Sequence, residues 1–129
     1  MVRHLLILLA LCAGFAFPQN RVYELRTYTC YEGKLEALKA RFRDHTIRIF
    51  NRHGMESVGY WVPEDEARRN NTLIYILVHP SREAADQHWK EFNADPEWVK
   101  VKNESEANGK IVQHVDRVFM DPADFSKLK

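Results

Sequence analysis

The segment Thr72 to His79 (TLIYILVH) is apolar at both alternating sets of positions, holds no Gly before its end, and is closed by Pro80. A strand sends successive side chains to opposite faces, so a strand apolar on both needs cover on both. This demand constrains every arrangement open to the rest of the chain.

The other segments supply only part of that cover. Arg21 to Thr29 (RVYELRTYT) reads as a first strand, with Tyr23, Leu25 and Thr27 on one face and Val22, Glu24, Arg26 and Tyr28 on the other. Gly33 to His53 reads as a helix, because Leu35, Leu38, Phe42, His45 and Ile49 recur at alternating spacings of three and four. Gly54 stops it, and Ser57 to Val62 forms a second strand closed by Pro63. Glu64 to Asn71 is a charged loop. Ser81 caps a second helix running to about Ala94, and Asp95-Pro96-Glu97 restarts a short one. Lys110 to Met120 is the fourth strand, and Asp121 to Lys129 is a tail.

The order β-α-β-β-α-β predicts an α+β, ferredoxin-like subunit with a four-stranded antiparallel sheet. Helices then cover one sheet face only. The other face would expose more apolar surface than the few hundred Å² usual for a monomer. A second copy laid sheet to sheet removes the exposure, so the pattern predicts a homodimer.

Residues 1–16 carry the layout of a signal peptide: Arg3 and His4, an unbroken apolar run from Leu5 to Ala13, and small residues at Gly14 and Ala16. Cleavage after Ala16 would leave residues 17–129 as a single exported domain, periplasmic or extracellular. The competing reading is an uncleaved anchor, but the apolar stretch is shorter than the roughly 20 residues a bilayer needs, so no stable span is expected in the mature form. Cleavage removes Cys12 and leaves Cys30 alone, which excludes an internal disulfide and suits a half-buried structural thiol. Lys and Arg (19) nearly balance Asp and Glu (18), so no field favours nucleic acid.

Chemistry-bearing residues are few. His45 is the one ionisable side chain on the first helix's apolar stripe; it is either a pocket acid, base or ligand contact, or a hydrogen-bonded core histidine. With Trp61 and Tyr75 it defines a candidate pocket between that helix and the sheet. Glu24 and Arg26 share a strand face and should pair. If Tyr23 and Leu25 face the helices, this pair faces the interior between the two sheets of the dimer, where it orients a polar ligand or knits the dimer. Trp61, Tyr75, Trp89 and Trp98 could wall a flat cofactor or simply form core. His79, His88 and His114 show no metal-ligand spacing, and no H-x-x-x-H, C-x-x-C, G-x-S-x-G or G-x-G-x-x-G occurs, so neither metal nor cofactor is expected.

YELRTYT, HTIRIFNRHGMESVGYW, TLIYILVHPSREAADQHW, DPEW and RVFMDPADFS, in this order from about Val22 to Phe125, closely resemble the NIPSNAP family. The resemblance implies a dimeric α/β-barrel, two ferredoxin-like subunits with sheets face to face and helices outside. It implies little about activity, since the family's animal members look mitochondrial and have no settled enzymatic role. A single domain copy behind a secretory signal departs from them, so their localisation is not carried over. The wider barrel superfamily includes small monooxygenases, haem-degrading enzymes and ligand-binding sensors. The expectation is an exported dimeric barrel binding a small apolar or aromatic molecule, or a partner. The alternative is a cofactor-free monooxygenase or related oxidoreductase, and a purely structural dimer is a third reading. The sequence holds no catalytic motif that decides between them.

Overall fold

Strands β1 (Val22–Cys30), β2 (Glu56–Trp61), β3 (Thr72–His79) and β4 (Val112–Met120) form one sheet in the order β2-β3-β1-β4, with every neighbouring pair antiparallel. The structure is a computed structural model that describes residues 21–129, and the expected signal peptide lies outside them. The two inner strands are those richest in Val, Ile, Leu, Tyr and Thr, the types that pack best on a pleated surface. Among the described residues no helix is long and apolar enough to cross a membrane.

Helices α1 (Leu35–Arg41), α2 (Ile47–Arg52), α3 (Arg82–Ala94) and α4 (Pro96–Ser105) pack on one face of that sheet. The face they cover carries Leu73, Tyr75, Leu77 and His79 of β3 opposite Tyr28, Arg26 and Glu24 of β1. This reverses the sequence expectation for β1. Glu24 and Arg26 point at the helices, whereas Tyr23, Leu25 and Thr27 line the other face. Strand alternation separates the two sets of side chains but does not say which set the helices cover. Here three hydrogen-bond donors from β3, α3 and β1 itself converge on Glu24, so the charge is better matched under the helices than on the open face.

The open face carries a row of Leu25, Ile76 and Val118 across three strands. Val118 is 51% exposed, and Trp61 at the sheet edge is 49% exposed. The tail turns back at one end of this face, where the Lys129 main-chain oxygen accepts from Arg21 Nε at 2.7 Å and Tyr23 Oη at 3.2 Å.

Between α1 and α2 the chain makes a π-helical turn, Phe42–Thr46, continuous with both. The Ile47 N–H bonds the Phe42 carbonyl five residues back, and Thr46 Oγ1 donates to the Arg41 carbonyl at 3.2 Å. A π turn inserts one residue into the helical count. The expected apolar stripe therefore breaks at His45: Thr46 takes the inward position and is buried, while His45 swings outward and is exposed. It sits over a shallow surface groove between α1 and α4 with Ala40, Asp44 and Glu104.

Local signals fix the other helix ends. Ser81 Oγ accepts from the Ala84 N–H at 3.0 Å to start α3. Asp95 Oδ1 accepts from the N–H groups of Glu97 and Trp98, with Pro96 in the first turn of α4. Gly54 takes φ 72° where α2 ends, a conformation only glycine adopts without cost.

Candidate functional site

The centre of the helix-covered face is a buried polar network built on Glu24. Its side chain is fully buried on an inner strand. Trp89 Nε1 from α3 donates to both carboxylate oxygens, at 2.8 and 3.0 Å. Arg26 Nη1, two residues along β1 and hence on the same face, donates to Oε1 at 2.8 Å. His79 Nε2, from the end of β3, lies 2.9 Å from Oε2. Burial alone would raise the Glu24 carboxyl, but the hydrogen bonds from His79, Trp89 and Arg26 outweigh it and hold the group below its ordinary value. Glu24 is therefore an ionised acceptor with its lone pairs occupied, a scaffold and not a free base.

His79 passes the network outward, with its Nδ1 3.0 Å from Nδ1 of His88 on α3. With Nε2 facing the carboxylate, the two imidazoles share a single hydrogen bond between their Nδ1 atoms. Burial, followed by the neighbouring His79, lowers the His88 pKa.

Arg26 leads in the other direction. Its Nη2 donates to Tyr28 Oη at 3.2 Å, and its guanidinium lies over the Trp89 ring at 4.1 Å from the centroid. Tyr75 Oη donates to the same Tyr28 oxygen at 2.9 Å. Burial, with Tyr28 beside it, pushes the Tyr75 phenol well above its ordinary value, so it stays a donor. Arg26 Nε is buried and has no partner among the described residues.

Arg26, Tyr28 and Trp89 open onto a cleft of about 240 Å³ between sheet and helices. Phe42, Phe50, Phe92 and Trp98 complete its aromatic walls, and Arg41, Lys102, Arg117 and Asn93 its polar lining. Arg41, the last residue of α1, and Thr46, at the end of the π turn, both line it. Four of these residues are cationic, and no carboxylate lines the cleft among the described residues.

The residues singled out from sequence do not come together. Tyr75 is completely buried, packed among Tyr28, Phe42, Phe50 and Tyr60 with centroids 5.1 to 6.1 Å away. Trp61 instead borders a separate, open groove of about 530 Å³ along the β2 edge, with Phe42, Ile47, Val62 and Leu73 beneath and Lys39, Arg43 and Arg48 at the rim. Its indole folds across Gly59, where a Cβ would lie 2.8 Å from the ring. His45 faces solvent for the reason given above. Glu24 and Arg26 do pair, under the helices. That larger groove has no polar network behind it, so the cleft over Arg26 is the better candidate site. Cys30 is fully buried and burial raises its thiol, which makes it structural rather than nucleophilic. Among the described residues no group of three or more His, Cys, Asp or Glu is placed to hold a metal ion.

Sequence reasoning missed Arg41, Tyr28 and the pairing of His79 with His88. Arg41 reads as an ordinary surface residue of an amphipathic helix. The signal available was the strand pattern Glu24-Arg26-Tyr28, three polar side chains on one face of a strand otherwise fit for a core.

A β2-β3-β1-β4 antiparallel sheet with helices on one face is the ferredoxin-like fold, the fold of subunits in the dimeric α/β-barrel class. Two members of that class, both under 25% identical, share the fold. One is a Streptomyces coelicolor monooxygenase from the gene ActVA-Orf6 in complex with nanaomycin D, with TM-score 0.59 and 15% identity over 88% of this chain and 96% of that one. The other is SnoaB, a cofactor-independent oxygenase from Streptomyces nogalater, with TM-score 0.53 and 14% identity over 85% and 99%. A NIPSNAP family protein of unknown function from Agrobacterium tumefaciens has TM-score 0.73 and 26% identity over 86% of this chain and 96% of that one. No curated protein matches closely enough to add a role. The NIPSNAP sequence pattern matches residues 23–127, and the chain belongs to the NIPSNAP family.

Proposed function

We propose that the protein is an exported homodimeric barrel that binds a small, largely aromatic molecule in the helix–sheet cleft of each subunit. The observation that carries this is the cleft over Arg26. The buried network leaves Arg26 Nε–H unpaired among the described residues, Arg41 Nε–H at the same cleft is unpaired too, and six aromatic rings wall the space. Small-molecule sites are mostly apolar with a few placed polar groups. The dimer is supported by the Leu25, Ile76 and Val118 row on the sheet face away from the helices. Export is supported by the basic, apolar and small-residue pattern of residues 1–16.

The test is native mass spectrometry of protein recovered from the periplasm or medium. The expected species is a dimer of chains that begin near Phe17 and carry a small organic molecule released on denaturation. A ligand-free species that also fails to bind any compound of an aromatic screen would remove the reading.

A cofactor-free oxygenase is the second reading, favoured by the fold shared with the two Streptomyces proteins. Oxygen uptake with a hydroxylated naphthalene, without added flavin or metal, would establish it. Absence of uptake would leave the binding role.

A further inference from the structure

We propose that the ligand of this cleft is an aromatic carboxylate, its planar oxyanion held by Arg41, Arg26 and the Tyr28 hydroxyl while its ring lies among Trp89, Trp98 and Phe92. The proposal rests on reading the cleft as a small-molecule site and adds the chemical class of the occupant.

Arg41 is the strongest observation. Its side chain is 5% exposed, yet it is poorly bonded. Nη1 reaches Ser105 Oγ at 3.3 Å and Glu106 Oε1 at 3.4 Å, both at the long end for such bonds, and Nε has no partner among the described residues. A buried guanidinium in this state forgoes hydration without full replacement, which is costly unless something else occupies its donors. Its other neighbour in the cleft is the Trp98 ring, 5.2 Å from Cζ to the centroid.

Arg26 gives the same signal independently, since Glu24 and Tyr28 take Nη1 and Nη2 and leave Nε bare. Tyr28 adds a third donor by elimination. Its oxygen accepts from both Arg26 and Tyr75. Tyr75 is fully buried, and Tyr28 is the hydrogen-bond partner of its hydroxyl, so reversing that bond would strand a buried proton. The Tyr28 proton is then left to point away from both, toward the cleft.

Three unspent donors, two of them on guanidinium groups, ask for a delocalised oxyanion. Arg117 and Lys102 at the same cleft add positive charge. The Glu24 and Glu106 carboxylates offset Arg26 and Arg41, so the net positive charge at the cleft comes from Arg117 and Lys102. The rings around the cleft exclude a bare inorganic anion as the best fit and favour a planar aromatic group.

The test uses 2-naphthoate, 2-naphthamide and acetate as probes, with the indole N–H signals of native protein followed by nuclear magnetic resonance. Trp89 and Trp98 should shift on titration, and Trp61, outside the cleft, should not. The naphthoate should bind at least about tenfold more tightly than the amide, and acetate more weakly than naphthoate. Equal affinities of naphthoate and naphthamide would overturn the carboxylate while leaving the aromatic site intact. No shift of Trp89 or Trp98 with either ring up to about 10 mM would overturn both. Arg41→Gln and Tyr28→Phe, confirmed as folded by circular dichroism, should each narrow the naphthoate preference at least about threefold. A full preference in both folded variants would overturn the assignment of these donors, and the native comparison decides the ligand class even if Arg41→Gln does not fold.

Discussion

Arg26 and Trp89 bond the same carboxylate, Glu24, while the guanidinium of one lies 4.1 Å from the ring centroid of the other. Strand β1 and helix α3 are thus locked at one point by charge, hydrogen bonding and stacking together. The cleft begins where this contact ends.

Breaking that contact should be expensive. Glu24→Gln leaves Arg26 without its counter-charge, and Arg26→Met leaves Glu24 short of a donor. Each should cost about 3–5 kcal/mol in urea unfolding, since removal of one partner from a buried pair strands the other. The double variant should cost less than the two singles combined by about 1–3 kcal/mol. Simple additivity would show that the pair is not coupled.

The π turn makes opposite predictions for two adjacent residues. His45→Leu should change stability by no more than about 0.5 kcal/mol, as at other exposed positions, and should leave ligand binding intact. Thr46→Ala removes a buried hydroxyl bonded to the Arg41 carbonyl and should cost about 1 kcal/mol. Equilibrium urea curves on both variants check the contrast. A larger loss at His45 than at Thr46 would restore the unbroken helical stripe.

Stability should fall on acidification in two separate ranges. The folded pKa of His88 is lowered by burial and by His79 and His53, against the opposing charge of Glu91. Below its ordinary value of about 6.5 the unfolded chain therefore binds the proton more readily, and stability declines as pH drops through that point. Glu24, whose folded pKa is also lowered, contributes stability that is present above its ordinary range and lost as pH falls through the folded value. Melting temperatures between pH 7.5 and 5.5 should drop in the native protein and drop less in His88→Gln. Equal slopes would place the first effect elsewhere.

The sheet face opposite the helices predicts an assembly phenotype. Val118→Glu puts a charge at the β4 end of the Ile76, Leu25, Val118 row, at a position already exposed in the subunit. Light scattering at micromolar concentration should give a dimer mass for native protein and a folded monomer for the variant. A native monomer would remove the dimer, and a dimeric variant would move the interface to another surface.

The sequence alone determined the order of elements and the identity of the inner strand β3. Those are local matters: alternation in TLIYILVH, the Ser81 and Asp95 caps, and the Gly54 stop act within a few residues. It also determined that Glu24 and Arg26 would pair, because a strand places them side by side on one face. Which face that was, only the tertiary structure decided, since alternation is symmetric until helices choose a side. It decided as well that Thr46 rather than His45 points inward, because one residue inserted at the π turn cannot be read from a periodicity that either count nearly satisfies. The cleft depended on both outcomes. Arg41 reaches it from the helix and Tyr28 from the strand, and no spacing along the chain relates the two.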